Sequence, residues 1–152
     1  MSTDNITLLR DTAIEILERF AFLLGDPAES PDDDVLPLPE KLWVITLDFC
    51  GPRTGALRLA TAPELARQVA ANLYGTELDE VTDTQAGDAL KELLNVITGD
   101  YLHKLEGNEP IFDLAAPQLV EWARAEFARH NAGYTGAALN VEGQILWLGF
   151  GN

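Results

Sequence analysis

Leu42-Trp43-Val44-Ile45-Thr46-Leu47-Asp48-Phe49-Cys50 is followed by Gly51-Pro52-Arg53-Thr54-Gly55 and then by Ala56-Leu57-Arg58-Leu59. In the first run Trp43, Ile45, Leu47 and Phe49 alternate with Val44, Thr46 and Asp48, the period of two of a strand with one face on a core. The glycines and proline supply turn chemistry, and Leu57 and Leu59 flank Arg58, so the stretch reads as an antiparallel hairpin. Such a hairpin is not stable alone and needs helices or further strands against its apolar face.

The flanking sequence offers both. Upstream, Ile6, Leu9, Ala13, Ile16, Leu17, Phe20 and Leu24 recur at spacings of three and four, an amphipathic helix that Asp4 can open and Gly25 can close. Between them, 26–40 holds four prolines and the acids Asp26, Glu29, Asp32, Asp33, Asp34 and Glu40, which favours an exposed acidic loop. Downstream, Thr61 is placed to cap a short helix with Pro63 in its first turn and Gly75 as its stop. A long helix from about Asp83 to Leu105 follows, with Leu90, Leu93, Leu94, Ile97, Tyr101 and Leu105 as its apolar stripe and Gly107 beyond its end. Pro110 to Leu114 reads as a short strand. Pro117 to Arg129 reads as a helix turning Leu119, Val120, Ala123 and Phe127 inward. Gly136 to Val141 and Gln144 to Phe150 form a final hairpin around Glu142-Gly143. Hairpins interleaved with helices predict an α+β fold, one domain over 1–152 with a mixed, mostly antiparallel sheet covered by long helices.

Composition bounds the function. Ten basic against 25 acidic residues give a net charge of −15, which repels phosphate backbones and anionic lipid alike, so no nucleic acid and no membrane is expected as partner. Cys50 is the single cysteine, so no intrachain disulfide can form. The start of the chain lacks a basic region followed by an apolar core, and a cytoplasmic location is expected. There is no glycine-rich phosphate loop and no Cys/His set with zinc spacing. His103 and His130 fall on different expected helices and read as solvent-facing polar residues.

The long helix carries the one concentrated signal. At about 100° per residue, with Leu90 at zero, Asp88, Glu92, Asn95 and Gly99 gather at roughly 140° to 200°, opposite the apolar stripe. Asn and Gly are poor helix formers, Asn costing some tenths of a kcal/mol and Gly up to about 1 kcal/mol against Ala in a helix interior. A merely solvated face would carry Lys, Glu, Gln or Ala there.

The run Asp88-Ala89-Leu90-Lys91-Glu92-Leu93-Leu94-Asn95-Val96-Ile97-Thr98-Gly99, with Ile111 to Pro117 after it, resembles the CheX-type chemotaxis phosphatases, relatives of CheC and FliY. Their signature is Glu-x-x-Asn on a long helix. The resemblance implies hydrolysis of the aspartyl phosphate of a response-regulator receiver domain of the CheY kind. By it, Asn95 and Glu92 are the catalytic residues, Asn95 placing the attacking water and Glu92 pairing with a lysine of the receiver. Asp88 and Gly99 are then the partner-binding residues beside them. No metal or cofactor of the chain's own is implied, because the receiver brings its divalent ion, Mg. A carboxamide suits the water-positioning task, since it accepts and donates without adding negative charge beside a phosphoryl group. Relatives of this type can pair through their sheets, so a homodimer is expected, with Ile145-Leu146-Trp147-Leu148-Gly149-Phe150 as a candidate edge. A non-catalytic adaptor of the same fold would present the same face. A small-molecule binding domain would instead require a large internal pocket.

Overall fold

A computed structural model describes residues 3–28, 38–107 and 111–151 of the chain. The opening hairpin lies at the middle of the architecture. Strand β2 (Lys41–Cys50) and strand β3 (Gly55–Thr61) pair antiparallel from Trp43↔Thr61 to Phe49↔Gly55. The final hairpin, β6 (Tyr134–Val141) and β7 (Gln144–Gly151), docks beside it through β3 and β7. Its turn places Glu142 and Gly143 at φ 49° and 90°, the double positive φ whose twist matches that of the flanking strands. Strand β1 (Gly25–Pro27) closes one side against β6, whereas β4 (Asp113–Leu114) and β5 (Gln118–Ala123) share the outer edge of β2. All these pairings are antiparallel, in the order β1-β6-β7-β3-β2-β4 with β5 also on β2.

Three helices cover one face of the sheet: α1 (Thr3–Ala21), α2 (Pro63–Tyr74) and α3 (Asp83–Glu106). Trp43, Ile45, Leu47 and Phe49 of β2 point into that interface, where they meet Leu17, Val69, Leu90, Leu94 and Ile97 in one buried cluster. The alternate residues Leu42 and Val44 face the other way, into a smaller cluster with Ala60, Trp147 and Phe127 of α4 (Arg124–His130). Arg58 ties the end of α4 to that face. Its Nε donates to Thr46 Oγ1 at 3.0 Å, and its Nη1 donates to the His130 carbonyl at 3.1 Å and to Asn131 Oδ1 at 3.2 Å. The guanidinium also lies 4.0 Å from the centroid of Tyr134, and its burial pushes its pKa below the ordinary arginine value.

Several expectations are corrected. The first helix stops at Ala21 rather than Leu24, because Phe22 takes a left-handed turn (φ 56°) and Leu23 N–H closes on the Leu17 carbonyl at 3.0 Å. The acidic loop expected from 26 begins instead with the edge strand β1, and 29–37 of it lie outside the described residues. Thr61 is the last residue of β3 and donates its hydroxyl to the Ile145 carbonyl at 2.8 Å; the helix N-cap is Ala62. The strand expected from Pro110 is only β4, with Pro110 itself outside the described residues. The helix expected over Pro117 to Arg129 is a strand followed by a shorter helix. Six pairings with β2 outweigh a weak helical period, Trp43 Nε1 finds Glu121 Oε1 at 3.2 Å, and Val120 and Ala123 are exposed. The terminal strand β7 is internal, paired on both sides, and is therefore no free edge.

Candidate functional site

Helix α3 is set up by a reciprocal cap: Thr82 Oγ1 accepts from Gln85 N–H at 3.1 Å, and Gln85 Oε1 accepts from Thr82 N–H at 3.0 Å. Its 24 residues make nearly seven turns at about 3.6 residues each. Leu90, Leu93, Leu94 and Ile97 are fully buried, each contributing roughly 1.5–3 kcal/mol. Asn95 and Gly99 together cost the helix about 1.5 kcal/mol in propensity. Burial of the stripe outweighs that cost, so the opposite face is free to hold poor helix formers.

On that face Asp88, Glu92, Asn95 and Gly99 are all exposed, as the spacing predicts. Neither Glu92 nor Asn95 forms a side-chain hydrogen bond or an ion pair with another described residue. Asp88, Glu92 and Asn95 line an open groove of about 650 Å³ whose other wall is Leu114-Ala115-Ala116-Pro117. Gly99 lies farther along the same face, and a Cβ added there would meet nothing within 4 Å.

The far wall is a bulge in the outer edge of the sheet. Leu114 pairs with Phe49 and Gln118 with Thr46, so three residues of the edge chain stand opposite two of β2. Ala115 N–H still reaches the Asp48 carbonyl at 2.8 Å, which holds the bulge against the sheet. The helix approaches this edge closely, since a Cβ on Gly87 would stand 3.0 Å from Leu119 Cδ2.

Two groove or rim residues escaped the sequence reading. Lys91 lines the groove; its signal was its place on the wheel, at about 100° beside Asn95. Tyr74, at the end of α2, is 44% exposed. Partial burial raises the pKa of its phenol, and the negative charges of Asp88 and Glu92 raise it further, so the hydroxyl stays a neutral donor beside the acidic rim. Nothing in the spacing of Tyr74 pointed to that position.

No three His, Cys, Asp or Glu side chains among the described residues are grouped to hold a metal ion. No helix of the described residues is long and apolar enough to cross a membrane. Two larger cavities, about 850 and 760 Å³, lie on the other side of the sheet around α4 and contain none of the four expected residues.

Residues 44–135, more than half of the chain, match the family model described as chemotaxis phosphatase CheX. No curated protein matches the sequence. Among solved structures the chain is similar to the chemotaxis protein CheX of Desulfovibrio desulfuricans, with a TM-score of 0.70, 13% identity and 97% of each chain covered. It is also similar to a chain of the CheX-CheY-BeF3-Mg complex from Borrelia burgdorferi, with a TM-score of 0.69 and 18% identity over 99% of this chain and 98% of that one. FliY of Thermotoga maritima matches with a TM-score of 0.58 and 12% identity over 98% of this chain and 90% of that one. At such identities the likeness is one of fold.

Proposed function

This chain belongs to the CheX family of chemotaxis phosphatases, and from that premise we propose that it hydrolyses the aspartyl phosphate of a CheY-like receiver domain in the cytoplasm. Asn95 holds the attacking water and Glu92 aligns the receiver through its lysine. The observation that carries this reading is the pair itself: two exposed side chains, with no hydrogen bond or ion pair to another described residue, three residues apart on a rigid helix and opening on a groove that a second protein can reach.

The chemistry asked of the site is modest. An acyl phosphate is already activated, so the protein contributes position and electrostatics. Asn95 can accept one hydrogen bond from water through its carbonyl oxygen and direct the water's lone pair at phosphorus. A carboxylate in its place would repel the phosphoryl oxygens. The divalent ion is supplied by the receiver, where it offsets phosphoryl charge. Asp88 and Gly99 extend the contact along α3, one by charge and the other by close approach.

A relative of similar fold was captured in a complex with CheY, which favours a receiver as partner here too. A non-catalytic adaptor would use the same face, and turnover separates the two. The test is phosphate release from a CheY-type receiver phosphorylated with acetyl phosphate, with and without this protein. Faster release is expected, and an unchanged rate over a range of receivers would leave the adaptor as the better reading.

A further inference from the structure

The substrate of that proposed reaction is an anion, and a chain of net charge −15 opposes its approach. Five described cations are held by carboxylates: Arg10, Arg19, Arg53, Arg67 and Lys104. Lys91 is different. It is half-buried, lines the groove beside Asn95, and engages no carboxylate among the described residues, although Asp88 and Glu92 are its near neighbours on α3.

The wheel explains the arrangement. Lys91 stands at about 100°, Asn95 at about 140° and Glu92 at about 200°, so Asn95 lies between a cation on the side of the bulge and an anion on the side away from it. Across the groove from α3, the bulge leaves the Ala116 amide without an acceptor among the described residues, since its neighbour Ala115 takes the Asp48 carbonyl.

We propose that Lys91, with the Ala116 amide on the opposite wall, forms a subsite for the peripheral oxygens of the phosphoryl group, next to the water held by Asn95. The ligand class is a phosphoryl anion, and the assignment rests on the phosphatase reading above. In the step itself the water oxygen bonds to phosphorus as the bond from phosphorus to the aspartyl oxygen breaks. The acyl phosphate dianion and water become a carboxylate and dihydrogen phosphate, so atoms and charge balance. Lys91 meets the negative charge carried by the three oxygens that stay on phosphorus throughout. The opposite signs of Lys91 and Glu92 also orient the receiver, phosphoryl group toward the bulge and lysine away from it.

The experiment is single-turnover dephosphorylation of an acetyl-phosphate-labelled receiver, with binding of the unphosphorylated receiver measured in parallel, for the unmodified protein, Lys91→Ala, Lys91→Glu and Lys91→Arg. Lys91 is on the surface, and circular dichroism verifies the fold of each variant. Lys91→Ala is expected to lower the rate constant at saturating receiver on the order of tenfold, as for loss of one charge-assisted contact. Lys91→Glu is slower still, Lys91→Arg recovers most of the rate, and binding of the unphosphorylated receiver is unchanged by Lys91→Ala. An unmodified protein that accelerates hydrolysis while Lys91→Ala matches it overturns the subsite and leaves the phosphatase reading standing. A defect confined to binding, equal for phosphorylated and unphosphorylated receiver, also overturns it. If the unmodified protein accelerates nothing, the phosphatase reading fails and the subsite fails with it.

Discussion

A methyl group placed on Gly87 would stand 3.0 Å from Cδ2 of Leu119, while one placed on Gly99 of the same helix would meet nothing within 4 Å. The two glycines therefore have different reasons. Gly87 lets α3 lie close to β5, which sets the width of the groove. No contact among the described residues calls for a glycine at 99; the buried stripe carries its cost in helix propensity, and the bare backbone leaves room for a partner to come close.

Gly99→Ala is accordingly expected to stabilise the protein by up to about 1 kcal/mol, which for a chain of this size raises Tm by about 2–4 °C. The same change should weaken receiver binding, because the added methyl group lies on the face proposed to dock the receiver. Thermal melting and titration with a receiver read the two effects separately. A variant that is more stable and binds equally well would remove Gly99 from the contact.

Gly136 supplies the opposite case. A Cβ there would collide with Trp147 Cζ2 and come 2.6 Å from the Leu148 carbonyl oxygen, because the indole lies across the strand at this point. Gly136→Ala should cost about 1–3 kcal/mol through displacement of Trp147, whose ring also packs on Phe127 at 5.2 Å. The clash is on the sheet face away from α3, so phosphatase activity per folded molecule should not change. A melting temperature equal to that of the unmodified protein would refute the packing argument.

The stability of α3 should depend on pH at the alkaline end. Tyr101 is 1% exposed and its phenol is pushed up to about 12, chiefly by burial, with Arg53 acting in the other direction. The folded state then holds its proton more tightly than the unfolded state, where a tyrosine titrates near pH 10. The contribution is complete below about pH 10 and lost as pH rises through about 12, on the order of 2 kcal/mol in all. The hydroxyl has no hydrogen-bond partner among the described residues, so Tyr101→Phe should cost less than about 1 kcal/mol at neutral pH. Denaturant titrations of both proteins from pH 7 to 11.5 measure this; a parallel decline in the two would exclude Tyr101 as the group.

How much of this was legible beforehand follows from the length of each signal. The stripe from Leu90 to Tyr101 runs over three turns, and the helix and its exposed face could be placed from it. The alternation from Trp43 to Phe49 was equally plain. Residues 117 to 129 read as a helix, and the need of β2 for an edge partner, not an alternation in the sequence, made 118 to 123 a strand. Thr61 is a good cap in isolation, but β3 needed its backbone and Ile145 its hydroxyl. Lys91 was visible on the wheel and passed over because a lysine on a helix surface is ordinary. The bulge at Ala115 and Ala116 has no signature in two alanines.

The expected homodimer has to use a different edge from the one first considered, since β7 is internal. Strand β5 is six residues long, lies at the edge, and exposes Val120 by 40%. A dimer mass at micromolar concentration by light scattering is expected, and Val120→Lys should shift it to monomer. A monomer mass for the unmodified protein across that range would end the idea.

Glu92 and Asn95 should separate by the step that each affects. Asn95→Ala removes a small neutral group, so receiver binding survives, while the dephosphorylation rate constant should fall by a factor on the order of 10², as for loss of one positioned polar group. Glu92→Ala should weaken both association and turnover, because it removes the partner of the receiver's lysine. Glu92→Lys should do worse, since two ammonium groups would face each other across the contact. Part of that extra defect is Coulombic between exposed groups, so raising salt should narrow the gap between Glu92→Lys and Glu92→Ala. The Asn95→Ala defect is one of water placement, and salt should barely move it. If Asn95→Ala dephosphorylates the receiver as fast as the unmodified protein in single-turnover conditions, another group positions the water.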